Sequence, residues 1–235
     1  MVSDLQEAVD SVGPAKIAQA EAKAVRELKR DVEATLLSAN DRAVEDGAGT
    51  VYKLRGLGDW IDSSGPSDVP SSFRTPSDSI HSSGAFTETV MNNIITSIYR
   101  VSGNTNSLTL VADTALRRKV SDFARTGVDG STSHEGVRTV YYNGESAQIK
   151  LSVELYQSDH GIVSVVNMNP DCAPDTSDKD TGYFVNPEYA GIGELIPMGS
   201  ARLPNQGGGE RGYVDCALTL AVYHPGAHGK ITAIS

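Results

Sequence analysis

The sequence predicts an α+β chain, and three observations carry that prediction. Apolar residues at helical spacing dominate the first half, to about Ala124. Period-two alternation dominates the second half. The alternating runs are joined by short Gly-containing turns, which suit antiparallel strands, and not by crossover helices.

The first element is the longest. No Gly or Pro interrupts the stretch from Pro14 to about Asn40, whose centre reads RELKRDVEATLL from Arg26 to Leu37. A helix of that length spans on the order of 40 Å at 1.5 Å per residue. Pro14 suits a first helical turn, where its missing N–H costs nothing, and Ser11 and Gly13 suit the entrance. A thin apolar stripe of Ile17, Ala20, Ala24, Leu28, Val32 and Leu36 predicts one face laid on a sheet or a second helix. The other faces are charged. Lys23 with Glu27 and Lys29 with Glu33 stand four apart and can pair along the helix. Arg26 and Arg30 point elsewhere, either to solvent, since exposed ion pairs are common and weak, or to carboxylates of a neighbouring molecule.

A turn region, Asp41 to Thr50, leads into VYKLRGLGDWID with the single tryptophan, Trp60. Ser63 to Gly84 is rich in Ser, Pro and Gly and reads as a long irregular loop of the kind that usually serves an interface. Helical order resumes with Phe86, Val90, Met91, Ile94, Ile95 and Ile98 on one face and Gly103 as the stop. A short strand, Ser107 to Ala112, is followed by Asp113 as N-cap of a helix through Ala124. In that helix Leu116, Val120 and Phe123 face inward, Arg117 to Lys119 face elsewhere, and Gly127 ends it.

Strands follow. Val137 to Tyr142 and Glu145 to Tyr156 flank Asn143 and Gly144, a type I′ hairpin signal. Ile149, Leu151, Val153 and Leu155 are expected on the buried side of the second strand. A second hairpin turns at Asp159 to Gly161 into Ile162 to Met168. Tyr183 to Val185 reads as a short strand, and Pro187 to Ile196 fits either state. Tyr213 to Tyr223 and Lys230 to Ile234 are expected to pair through HPGAHG, with Val214, Cys216, Leu218, Leu220 and Val222 inward.

At 235 residues, 39% hydrophobic, the chain can bury a core as one large domain or two smaller ones. No apolar run is long enough to cross a bilayer, and the acidic first dozen residues lack the pattern of a secretory signal, so use in the cytoplasm is expected. Two distant cysteines, Cys172 and Cys216, are expected as reduced thiols, with Cys216 in the core. A formal charge of −10 opposes DNA binding as the main task but is compatible with enclosing DNA without gripping it.

No motif asks for chemistry. His224 and His228 have metal-like spacing only on a helix, and Pro225 and Gly226 make this a turn. Asp175, Asp178 and Asp180 lack the closing Glu of a calcium loop. A strand, not a lysine-bearing helix, follows Gly207 to Gly209. Consecutive Ser158, Asp159 and His160 cannot form a catalytic triad by adjacency alone. No catalytic, cofactor or metal residue is therefore assigned.

Several strings, taken in order, resemble the major capsid proteins of tailed bacteriophages with the Hong Kong 97 type fold. ELKRDVE, Glu27 to Glu33, is similar to a spine-helix string of that family. GLGDWI, Gly56 to Ile61, resembles its Gly-Leu-x-x-Trp-Ile segment. FTETVMNNIITSIYRVSGNTNSLTLVADTALRRKVSDFA from Phe86 resembles the start of the axial domain, LYQSDHGIVSVV from Leu155 the next strand pair, and LTLAVYHPGAHGKI from Leu218 the closing peripheral strands. The resemblance spans nearly the whole chain. Its departure is at the front, where only about a dozen residues stand in place of the family's N-terminal arm and extended loop.

The resemblance implies a peripheral domain over 1–100 with the spine helix (14–40) and the irregular loop (63–84). It further implies an axial domain with mainly antiparallel sheet over 101–210 and closing peripheral strands over 211–235. It implies a virion subunit, made in the host bacterial cytoplasm, that forms pentamers and hexamers of an icosahedral shell around viral DNA. Scaffolding, portal or decoration proteins are its further partners, and no membrane is involved. Arg26, Lys29, Arg30, Asp31, Glu33 and Trp60 are the expected interface residues. Competing readings are a bacterial encapsulating compartment, a soluble enzyme with an unrecognised site near His134 or His160, and a monomeric binding module using the Ser63 to Gly84 loop.

Overall fold

The long helix is α1, Lys16–Leu37, in the computed structural model, which describes residues 16–45, 47–49, 51–123, 140–143, 146–149, 154–172, 181–204, 207, 209–232 and 234. Its stripe is half-buried at Ile17, Ala24, Leu28, Val32 and Leu36, while Ala20 is exposed. The helix stops short of Asn40 because hydroxyls and then another segment take over its last carbonyls. Thr35 Oγ1 donates to the Asp31 carbonyl at 2.7 Å and Ser38 Oγ to that of Thr35 at 2.8 Å. Beyond them the Leu37 carbonyl accepts from Tyr183 Oη and the Ser38 carbonyl from the Gly58 N–H, both at 3.0 Å.

Gly56 and Gly58 flank the first residue of α2, Leu57–Trp60, and their lack of side chains permits this approach. A Cβ on Gly56 would lie 2.0 Å from the Ser38 carbonyl oxygen. One on Gly58 would lie 2.9 Å from Tyr183 Oη.

The Ser63 to Gly84 segment is more ordered than its composition predicts. It holds 3-10 turns at Ser71–Phe73 and Ser77–Ser79 and ends in a short strand, β1, Ile80–His81. Arg74 ties it down by donating to the carbonyls of Val69 and Ser64, and Thr75 donates to that of Pro225. Two residues are too few to show a period, which is why the strand is silent in the sequence.

Helix α3, Glu88–Ser102, begins at Thr87, whose hydroxyl accepts from the Val90 N–H, and ends at Gly103 in the left-handed region, φ 67°. Strand β2, Thr109–Ala112, leads to α4, Thr114–Phe123, with Leu116 and Val120 buried. Gly127 lies outside the described residues. Strands β3, Val140–Asn143, and β4, Ser146–Ile149, pair antiparallel as expected; Gly144 between them lies outside the described residues. Leu151 and Val153 of the expected strand to Tyr156 lie outside the described residues, and its last two residues belong to a different pair. Leu155–Ser158 forms β5, which pairs with β6, Gly161–Asn167, in another sheet. There the register sets Tyr156 opposite buried Val163, so Tyr156 turns inward and Leu155 is 65% exposed, the reverse of the expected facing.

After β7, Gly182–Val185, a 3-10 turn at Pro187–Tyr189 opens the ambiguous segment into a long strand, β8, Ala190–Leu203. This pairs with β9, Arg211–Val222, as a two-stranded ribbon. The expected partner of β9 was the final strand. Instead β10, Gly229–Ile231, lies between β1 and β7. The buried Pro225–Ala227 turn carries the chain across, and fully buried His228 holds it by accepting the Asn186 N–H on Nδ1 at 3.2 Å. Cys216 is half-buried and not core, because the ribbon has no second layer deep enough to cover it; Cys172 is the buried cysteine.

The six-stranded sheet has the order β1-β10-β7-β2-β6-β5, with β1/β10 and β2/β6 parallel and the other pairs antiparallel. Its strands come from all three of the segments that the resemblance leads one to expect, 1–100, 101–210 and 211–235. Helices α3 and α4 cover one face around Met91, Ile95, Leu110, Leu116, Val163 and Phe184. On the other face Leu57, Ile61, Met168 and Tyr183 gather Leu37 from α1 with Leu220 and Val222 from the ribbon.

Replacing Gly56 by Ala is expected to destabilise the chain by about 2–3 kcal/mol through forced separation of α2 from the end of α1, read as a lower urea midpoint. Burial lowers the His228 pKa to about 4. The unfolded chain takes up that proton near pH 6.5 and the folded chain only near 4, so stability is complete above the first value and declines toward the second. The loss is up to roughly 3 kcal/mol, and His228→Gln flattens this part of the curve in unfolding titrations across the same pH range.

Candidate subunit interface

The joint between α1 and the sheet is held by a buried guanidinium. Arg55 is 7% exposed. It donates from Nη2 to Asp41 Oδ1 at 2.9 Å and from Nη1 to Asp68 Oδ1 at 2.9 Å, and its Nε lies 3.1 Å from Asp59 Oδ2. Its guanidinium carbon stands 4.8 Å over the Trp60 ring. The planar fork is the reason one cation serves three carboxylates on three different segments. Its hydrogen bonds hold the Asp41 and Asp68 carboxyls below the usual range, while burial pushes that of Asp59 up, against the pull of Arg55. Lys230 closes the joint from β10 by donating to the Gly58 carbonyl at 2.9 Å, and burial lowers its pKa.

Of the expected interface residues, Arg26, Lys29, Arg30, Asp31 and Glu33 all lie exposed on α1, with Arg26, Arg30 and Glu33 opposite the half-buried stripe and Lys29 and Asp31 at its flanks. Lys23 and Glu27 form the expected pair at 3.8 Å. The Arg30 carbonyl accepts from Cys172 Sγ at 3.5 Å, where the middle of the helix crosses the Pro170–Cys172 turn. Trp60 belongs elsewhere: it is half-buried beneath Arg55, away from the exposed helix face.

Three further exposed features are not visible as such in the sequence. On the ribbon, Ile192, Leu195 and Ile196 are 57%, 85% and 46% exposed where β8 departs from regular register. A tongue after α1, closed by the Ala43–Lys53 bridge, exposes Val44, Val51 and Tyr52. A cleft of about 170 Å³ separates the first turns of α1 from the outer end of the ribbon. Arg55 and the tongue do carry one legible signal, an arginine among Leu54, Leu57, Trp60 and Ile61 in the run VYKLRGLGDWI. The ribbon patch has none, because strand alternation does not say whether a second layer covers it.

The residues weighed for catalysis are placed for packing. His160 stacks on Tyr99 at 4.8 Å and 13°, and its carbonyl accepts from Thr105 Oγ1. His224 packs edge-on against Phe73 and Tyr189. His134 and the Asp175, Asp178 and Asp180 cluster lie outside the described residues. Among the described residues, no three His, Cys, Asp or Glu side chains are grouped to hold a metal, and no helix is long and apolar enough to cross a membrane. The geometry suits contact between macromolecules, with broad exposed faces on a tied framework.

The whole chain, residues 1–235, matches the family model described as SU10 major capsid protein. No curated protein matches it.

Arg55→Leu is expected to cost about 1–3 kcal/mol, chiefly through the lost hydrogen bonds of the guanidinium, since Asp41 and Asp68 are 70% and 38% exposed and regain water, and Arg55→Lys to recover only a minor part, since one ammonium cannot span three carboxylates. Urea unfolding of both variants at neutral pH measures this.

Proposed function

The chain belongs to the SU10 family of phage major capsid proteins, and from that premise we propose that it adopts the Hong Kong 97 type fold and builds an icosahedral head from pentamers and hexamers. A major capsid protein is a structural subunit that associates with copies of itself, and its work requires no catalytic group. In this reading the shell assembles in the host bacterial cytoplasm, encloses viral DNA without specific contacts, and meets scaffolding, portal or decoration proteins.

The observation that carries the reading is the ribbon. Strand β8 is exposed along most of its 14 residues, and a two-stranded ribbon is marginal by itself in water. Neighbouring subunits supply what the monomer lacks. The exposed charges of α1, Arg26, Lys29, Arg30, Asp31 and Glu33, form a second contact surface, and Trp60 packs under Arg55 at the joint beyond the end of that helix. Adaptable charged faces suit a subunit that meets identical copies in slightly different settings.

The domain division is part of the same proposal. Packing supports placing α1 with the β8–β9 ribbon in the peripheral part and the six-stranded sheet with α3 and α4 in the axial part. The boundaries at 101 and 211 drawn from the sequence then shift, since β8 leaves the axial segment to join β9, while β1, α3 and β10 enter it.

Electron microscopy of concentrated protein is expected to reveal shells or rings of subunits; a strictly monomeric particle count overturns the assembly reading. Joint replacement of Arg26 and Lys29 by Glu is expected to leave the thermal midpoint unchanged and to raise the concentration needed for assembly about tenfold. Unchanged assembly assigns that face to solvent.

A further inference from the structure

Two exposed features at opposite ends of α1 complement one another. At the C-terminal end, Ala43 and Lys53 exchange backbone hydrogen bonds at 3.2 and 3.0 Å and close the tongue. Val44, Val51 and Tyr52 on it are 60%, 72% and 70% exposed, and Glu45 is exposed beside them. At the N-terminal end lies the cleft, with Ile17, Ala20 and Ala24 on its helix wall and Ala201, Tyr213 and Val214 on its ribbon wall. It exists because the apolar stripe of α1 is built there from alanines, too small to reach the ribbon. Arg202 and Arg211 stand at its rim with Glu21 and Glu210. Glu21 already accepts from Ser200 Oγ, and Glu210 pairs with Arg202 at 3.6 Å in an exposed, weak contact.

We propose that the tongue of one copy seats in the cleft of the next, with Val51 and Tyr52 between the apolar walls and Glu45 against Arg202 and Arg211. The proposal rests on the shell-subunit reading and names the surfaces through which copies meet. The tongue of a chain cannot reach that chain's own cleft. From Ala20 to Leu37 the helix runs about 25 Å, and the tongue, closed on itself at residues 43 and 53, returns directly to Arg55, which is pinned to Asp41, Asp59 and Asp68. The contact therefore joins two different patches, head to tail, and such a heterologous contact propagates around a ring or across a lattice instead of stopping at a dimer.

The test mixes two single-cysteine variants, Tyr52→Cys and Ala20→Cys, in a Cys216→Ser background, with buried Cys172 retained. Mild oxidation is expected to give mixed disulfide dimers whose yield rises with protein concentration. Glu45→Arg alone, and Arg202→Glu with Arg211→Glu, are each expected to raise the assembly concentration about tenfold, and combining them to restore most of it. Shells that form without mixed disulfides overturn the docking and leave the shell reading standing. Mixed disulfides without shells uphold the docking and remove the icosahedral reading. Protein that stays monomeric and uncross-linked at high concentration overturns both.

Discussion

The backbone of Gly56 and Gly58 lies against the last carbonyls of α1, and the larger arrangement of the molecule depends on that approach. Helix ends leave carbonyls unpaired, and burying them without partners is costly. Here the partners come from a segment distant along the chain and from Tyr183 on a central strand. Satisfying the helix end therefore also sets the direction of the helix relative to the sheet. Arg55 reinforces the same joint by drawing carboxylates from the tongue root, α2 and the following loop onto one cation.

From that joint the molecule divides its burial unevenly. The sheet with α3 and α4 has a deep apolar core, whereas α1 and the ribbon bury one side each and leave the other in water. A monomer with so much strand exposed is an incomplete object by the standards of a free globule. For a capsid subunit the same exposure is useful, because interfaces assembled from several modest contacts can be strong in sum while each remains adjustable.

Helices were the most legible elements because their signals are local. Thr87 and Gly103 bound α3 through hydrogen bonding and backbone angle within a few residues of the helix itself. Strand pairing was less legible. The alternation that marks β9 is the same whether its partner is β8 or β10, and the partner follows from a buried turn and from the His228 to Asn186 hydrogen bond, both remote in sequence. Leu155 and Tyr156 exchanged faces for a similar reason, since a shift of one residue in register inverts every side chain of a strand. Among the expected interface residues, helical period alone spaces the charges of α1, whereas the half-burial of Trp60 comes from Arg55, five residues back, whose guanidinium stands over its ring.

What the sequence determined by itself was the class of the chain, the positions of α1, α3 and α4, most of the strands apart from β1 and the ambiguous β8 and, through the order of its strings, the family. These depend on short-range periodicity and on residue identity. The tertiary structure alone decided which strands share a sheet, that the final strand enters between β1 and β7, and that a cleft opens where Ala20 and Ala24 face the ribbon. Those outcomes turn on how closely two remote pieces of backbone can approach, a quantity that side-chain size limits but that no local pattern encodes.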